Sequence, residues 1–110
     1  MNQPEASRFL KRFYRVLRQD EVCIKLVKDL KYDKPKPISG LWDPTQGKRA
    51  EVSLNPNKRR YGGIVSTLIY ELLHQIEYDR SHKWIFEKEK EIYNALSDRQ
   101  LTNLLGRAFK

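Results

Sequence analysis

The sequence contains a single cysteine and only two histidines, so few kinds of covalent or metal chemistry are open to it. Because Cys23 has no second cysteine to pair with, no internal disulfide can stabilise the fold. Its neighbours Val22, Ile24 and Leu26 are apolar, which favours a buried structural thiol over a reactive one.

Long apolar runs are also missing. No stretch approaches the roughly 18 consecutive apolar residues that a transmembrane helix needs. The segment Met1 to Ser7 is polar and lacks the apolar centre of a signal peptide. These features predict a cytoplasmic protein without membrane contact. With 110 residues and a hydrophobic fraction of 39%, the chain is expected to form one domain, residues 1–110.

Acidic residues are few relative to basic ones. The chain has 22 lysines and arginines against 14 aspartates and glutamates, a net charge of +8. Such a bias favours contact with polyanions, nucleic acid first, through long-range attraction and counterion release. An ordinary solvated surface would have the same composition, so charge alone does not choose between the two.

The first predicted element is a helix that begins after Asn2, with Pro4 and Glu5 in its first turn, and reaches about Gln19. Its apolar residues recur at helical spacing, namely Phe9, Leu10, Phe13, Val16 and Leu17. Its other side is basic, with Arg8, Lys11, Arg12, Arg15 and Arg18. This basic face and the loop Lys58, Arg59 and Arg60 form the candidate nucleic-acid surface, and a solvated helix face is the alternative.

The middle of the sequence has strand and turn signals. Residues 22–30 are rich in apolar and β-branched side chains and predict a strand. The proline-containing tract 32–37 cannot continue a helix and predicts an extended linker. Residues 38–42 are apolar, 43–47 have turn chemistry, and 50–54 alternate with period two. The last three segments predict a β-hairpin.

Three helices are predicted in the second half. Residues 64–76 are the most apolar segment, with a stripe wide enough for the central helix of the domain. After a polar break at 78–81, a helix runs from about His82 to Leu96, and Ser97 with Gln100 forms a capping box for a last helix. The fold class is therefore α+β: an N-terminal helix, a small sheet with a β-hairpin, a central helix and two C-terminal helices.

The central helix carries Glu71 and His74, which lie on one helical face because they are three residues apart. A charged glutamate within such an apolar segment is unfavourable unless a metal or a solvent-reaching cavity compensates it. Zinc peptidases use His-Glu-x-x-His, in which both histidines bind the metal and the glutamate polarises the attacking water. Glu71 and His74 are in that register and His82 is a candidate third ligand, but Tyr70 takes the first position.

Ala50 to Pro56 followed by Ile64 to His74 resembles small zincin-like metallopeptidase domains. In these families an edge strand precedes a helix of the form S-T-L-I-H-E-L-L-H, and the similarity spans roughly residues 38–96. Minimal zincins have a carboxylate as the third ligand, whereas SprT-like proteases have a histidine followed by an aromatic residue. His82 with Trp84 is closer to the second pattern, although its distance from His74 is short for an SprT-like protein.

This resemblance implies a zinc-dependent metallopeptidase that acts on a peptide or protein. Glu71 would be the general base, and His74 and His82 would be zinc ligands, with Tyr70 in the position of the first ligand. An extended substrate would pair with the edge strand, at Glu51, Val52, Ser53 and Leu54.

Tyr70 leaves several explanations open. One explanation is that Tyr70 binds the metal as a phenolate, with its pKa lowered from about 10. A second is that the site has lost catalysis, so that the fold binds a partner without cutting it. A third is that the chain is a substituted form of an active parent. A core aromatic that fills the metal's space is a further alternative. The sequence thus predicts a metallopeptidase-like protein with an impaired or inactive site. The competing hypotheses are a basic nucleic-acid-associated module without catalysis and a protein that binds a partner beside the hairpin.

Overall fold

The computed structural model describes residues 1–45, 47–58 and 61–109. Within them lie the helices α1 (Gln3–Arg18), α2 (Gly63–Ile76), α3 (His82–Ala95) and α4 (Asp98–Ala108). The strands are β1 (Val22–Leu26), β2 (Gly40–Asp43) and β3 (Ala50–Leu54). This order confirms the α+β class and the predicted sequence of elements.

Side-chain caps determine where three of the helices begin. The Asn2 side chain accepts a hydrogen bond from a backbone N–H in the first turn of α1. Ser81 caps α3 in the same manner. Ser97 and Gln100 form the predicted capping box of α4, each accepting from the other's backbone. Each cap satisfies a backbone donor that the helix itself cannot pair, so these starts were readable from local sequence.

The three strands form one mixed sheet in the order β1-β3-β2. β2 and β3 are antiparallel neighbours, which confirms the predicted hairpin. β1 is parallel to β3 along its whole length, from Val22 opposite Ala50 to Leu26 opposite Leu54. This parallel pairing was not predicted from the sequence, because parallel strands are joined by long connections that leave no local signal.

The prediction that residues 50–54 form an edge strand is wrong. β3 is hydrogen-bonded to β1 on one side and to β2 on the other, so its backbone cannot receive a further strand. Val52, Ser53 and Leu54 are buried, and Glu51 pairs with Lys25 at 3.1 Å. Among the described residues, β2 pairs only with β3 and therefore lies at an edge of the sheet.

Helix α2 is the central helix, as its wide apolar stripe predicted. It contacts β2, β3 and all three other helices. Its side chains Leu68, Ile69, Leu72 and Leu73 have no exposed surface. The fully buried apolar residues that the other helices add to this core are Ala6, Phe13, Ile85, Ile92 and Leu104. No described helix is both long and apolar enough to cross a membrane.

A buried carboxylate ties α3 to the start of α2. Glu89 has no exposed surface, and its two oxygens accept hydrogen bonds from the Tyr61 hydroxyl at 2.5 Å and the Ser66 hydroxyl at 3.1 Å. Such donors offset the unfavourable burial of a carboxylate. The sequence analysis did not single out Glu89, because it stands among alternating lysines and glutamates that are typical of a solvated face.

Candidate functional site

A cleft of about 760 Å³ lies between the edge strand β2 and the central helix α2. β2 forms one wall, and the opposite wall is the face of α2 that carries Tyr70, Glu71 and His74. His82, the first residue of α3, also lines the cleft. Glu71 and His74 are buried, with 4% and 7% of their surface exposed, while Tyr70 is half-buried and His82 exposed.

Three ring side chains of the predicted site converge in this cleft. Tyr70 and His74 are one turn apart on α2, and their ring centroids are 5.0 Å apart. The rings of His74 and His82 are also separated by 5.0 Å between centroids. The Tyr70 hydroxyl oxygen lies 3.4 Å from Nδ1 of His82. The polar break after α2 returns the chain so that α3 begins beside the end of α2, which brings His82 to the other two rings.

Glu71 lies directly against the edge strand. A Cβ atom added to Gly40 would stand 2.7 Å from the Oε2 atom of Glu71 and 2.6 Å from the Cγ2 atom of Thr67, closer than real contacts allow. Gly40 therefore permits the close approach of α2 to β2, because it has no side chain. The carboxylate faces the cleft while most of its surface is shielded from solvent.

The imidazole of His74 is held in its neutral form. Burial lowers the pKa of His74 to about 4, and the nearby His82 also lowers this pKa. At neutral pH the ring therefore has an unprotonated nitrogen. This is the form in which histidine binds a metal or accepts a proton.

Trp42 of β2 forms the wall behind His74. Its ring is nearly parallel to the imidazole, with an interplanar angle of 11° and 5.7 Å between centroids. Its indole N–H donates a hydrogen bond to Oε1 of Gln75 at 2.8 Å. Neither Trp42 nor Gln75 was a candidate site residue in the sequence.

The donor atoms of the cluster suit a metal only if the phenol takes part. Among the described residues, no three histidine, cysteine, aspartate or glutamate side chains are grouped to bind a metal ion. Zinc bonds of about 2.0–2.1 Å in a tetrahedral site place two donor atoms about 3.3 Å apart. The separation of 3.4 Å between the Tyr70 oxygen and the His82 nitrogen is close to that value. Two imidazoles and one phenol would supply three donor groups, the number that a catalytic zinc site takes from the protein.

Of the predicted nucleic-acid residues that the structure describes, Arg12 and Lys58 contact other groups of the protein. Arg8 and Arg15 are exposed on α1, whereas Arg12 donates to the carbonyl of Ile76 at 3.2 Å and lies 3.6 Å from the Glu77 carboxylate. The Lys58 ammonium donates to the backbone carbonyl of residue 37. Arg59 and Arg60 lie outside the described residues. Nucleic-acid binding stays a prediction from charge.

Comparisons with protein-family models, with curated proteins and with solved structures find no match for this chain. The zincin-like resemblance therefore stays a prediction.

Three residues of the site escaped the sequence analysis: Gly40, as the point of contact for Glu71, and the pair Trp42 and Gln75. The only signal for Gly40 was a glycine within a predicted strand, which can indicate close approach of another element. The contact between Trp42 and Gln75 joins two elements that are distant in sequence, so no local sequence pattern predicts it.

Replacing Gly40 with alanine should destabilise the fold and displace Glu71. We expect Gly40→Ala to lower the free energy of unfolding by about 1–3 kcal/mol, since the new methyl group meets buried side chains with little room to move. Urea denaturation measures this change. Gly106→Ala is the matched control, because nothing lies within 4 Å of its Cβ and α4 should gain up to about 1 kcal/mol. Equal stability of wild type and Gly40→Ala would contradict the close contact.

The low pKa of His74 predicts how stability depends on pH in the metal-free protein. The folded pKa of about 4 lies below the ordinary value of 6.5, so the unfolded chain binds this proton first as the pH falls. Stability from neutral His74 is therefore complete above about pH 6.5 and is lost progressively toward pH 4. Urea denaturation across this range should show a weaker pH dependence in His74→Gln, whereas identical slopes for both proteins would contradict the low pKa.

Proposed function

We propose that this protein is a zincin-like metallopeptidase relative that binds zinc through Tyr70, His74 and His82, and that hydrolyses peptides poorly because Tyr70 is one of the ligands. The observation that carries this proposal is the convergence of the three rings beside a buried glutamate, in a cleft with an edge strand as its wall. A pair of imidazoles with a buried carboxylate in a cleft is the arrangement expected of a hydrolytic metal site.

The proposed roles follow from position and chemistry. His74 and His82 would bind the metal through ring nitrogens and Tyr70 through its oxygen. Zinc, when bound, supplies Lewis acidity that polarises a substrate carbonyl. Glu71 is the general base of the proposal. Its carboxylate lines the same cleft and is next in sequence to Tyr70, so it can take up a proton from a water molecule and later deliver it to the leaving amine.

The substrate surface of the proposal is β2 and not β3. β3 is paired on both sides, whereas β2 has one pairing side left among the described residues and borders the cleft. An extended peptide can add to such an edge through backbone hydrogen bonds. Because Glu71 lies against Gly40 of this strand, a peptide bound along β2 would pass close to the proposed base.

Tyr70 is the reason for the proposed weak activity. A phenolate ligand brings a negative charge to the metal, which reduces the attraction of the metal for electrons from the substrate carbonyl. It also requires loss of a proton from a group whose ordinary pKa is about 10, so binding competes with protons at neutral pH. A histidine at position 70 would remove both disadvantages and complete the His-Glu-x-x-His pattern.

Zinc titration calorimetry on chelator-free protein tests the ligand set. We expect the wild type to bind one zinc ion per chain, and Tyr70→Phe to weaken binding by more than about 10-fold because a ligand is lost. Tyr70→His should tighten binding relative to wild type. The matched control is Tyr78→Phe, which removes a hydroxyl from an exposed tyrosine that lines the same cleft but is not part of the ring cluster.

Peptide cleavage followed by mass spectrometry tests the catalytic role. Zinc-loaded Tyr70→His should cleave an unstructured protein such as reduced casein faster than wild type, and adding Glu71→Gln should lower that rate by about 100-fold or more without loss of zinc. If the wild-type protein binds no zinc, the proposal is wrong. It also fails if zinc-loaded Tyr70→His cleaves no faster than the same variant with Glu71→Gln.

A further inference from the structure

We propose that Trp42 and Gln75 act together as positioning residues that fix the plane of the His74 imidazole for metal binding. This inference rests on the proposed function for its metal, but its geometry is independent of any metal. It assigns a role to a hydrogen bond that connects the edge strand β2 to the central helix α2.

The contact consists of two coupled interactions. Trp42 presents the face of its indole to the face of His74 at 5.7 Å between centroids and an angle of 11°. Its only polar atom, the indole nitrogen, donates to Gln75 at 2.8 Å. Gln75 is the residue that follows His74 on α2. The hydrogen bond therefore holds the indole against the helix at the level of the histidine.

An isolated histidine ring has little preference about its outer torsion angle, because that torsion has a broad, roughly two-fold energy profile. Here three rings restrict it. Trp42 covers one face, while Tyr70 and His82 approach at angles of 77° and 66° with 5.0 Å between centroids. Tyr70 and His82 belong to the proposed ligand set, so Trp42 is the part of this enclosure that does not itself bind the metal.

The hydrogen bond to Gln75 fixes the orientation of the Trp42 ring beside His74. A tryptophan side chain has one donor and no acceptor, and a buried indole N–H needs a partner. Rotation of the indole away from His74 would break the partly buried bond to Gln75. Gln75 therefore acts on His74 through Trp42. Partners that orient a metal-binding histidine typically account for about 10–100-fold in metal affinity.

The test is a double-mutant cycle on zinc affinity by calorimetry. Trp42→Phe keeps an aromatic face but removes the donor, and Gln75→Met keeps the length of the side chain but removes the acceptor. We expect each variant to weaken zinc binding by about 10-fold, and the double variant to be no weaker than either single variant. Gln75→Glu, which retains an acceptor, should restore near wild-type affinity. Urea denaturation of each variant separates this effect from loss of folding.

A second readout needs no metal. In the metal-free protein, nuclear Overhauser contacts between the His74 ring and the Trp42 indole should be detectable in wild type and weaker in Gln75→Met. Unchanged contacts in that variant would overturn the proposal, as would wild-type zinc affinity in both single variants or fully additive losses in the double variant. If wild type binds no zinc but the contacts depend on Gln75, the positioning is supported while the proposed function fails.

Discussion

The central helix α2 buries polar side chains as well as its apolar stripe. The contacts that offset the unfavourable burial of these polar groups connect α2 to the elements around it. Ser66, Thr67, Glu71 and His74 all lie at or below 7% exposure among leucines and isoleucines. Without partners, each would oppose folding. Thr67 donates to the Gly63 carbonyl within α2, while Ser66 and His74 have contacts with other elements. Near the start of α2, Ser66 donates to Glu89 of α3, while nearer its end His74 contacts Trp42 of β2 and His82 of α3.

These two groups of contacts have different character. The group at the start of α2 is a satisfied carboxylate with hydroxyl donors from Tyr61 and Ser66, and it closes the fold around α3. The group near its end opens into a cleft and contains a neutral imidazole, a second imidazole and a phenol. A cluster that served packing alone would be better filled by apolar side chains. The polar cluster in the cleft is therefore the part of the domain that function explains better than stability does.

Local sequence was sufficient for the elements but not for their arrangement. Helix starts could be predicted from Asn2, Ser97 and Gln100, because capping is a contact between residues that are near in sequence. The alternation of residues 50–54 identified a strand, yet it could not show whether that strand lay at the edge or in the middle of the sheet. That depends on β1, which pairs with it in parallel from far along the chain. The same limit explains why the site was predicted only in part. Tyr70, Glu71 and His74 belong to one helix, whereas the bond from Trp42 to Gln75 joins two elements.

The proposed function depends on whether Tyr70, His74 and His82 bind one metal ion. Anomalous X-ray diffraction at the zinc absorption edge, from crystals of the wild-type protein grown with zinc, would locate that ion. If the three residues are ligands, we expect an anomalous peak within bonding distance, about 2.0–2.2 Å, of the Tyr70 oxygen and of one ring nitrogen from each histidine. No peak in the cleft, or zinc bound elsewhere while the Tyr70 oxygen remains beside His82, would show that they are not ligands.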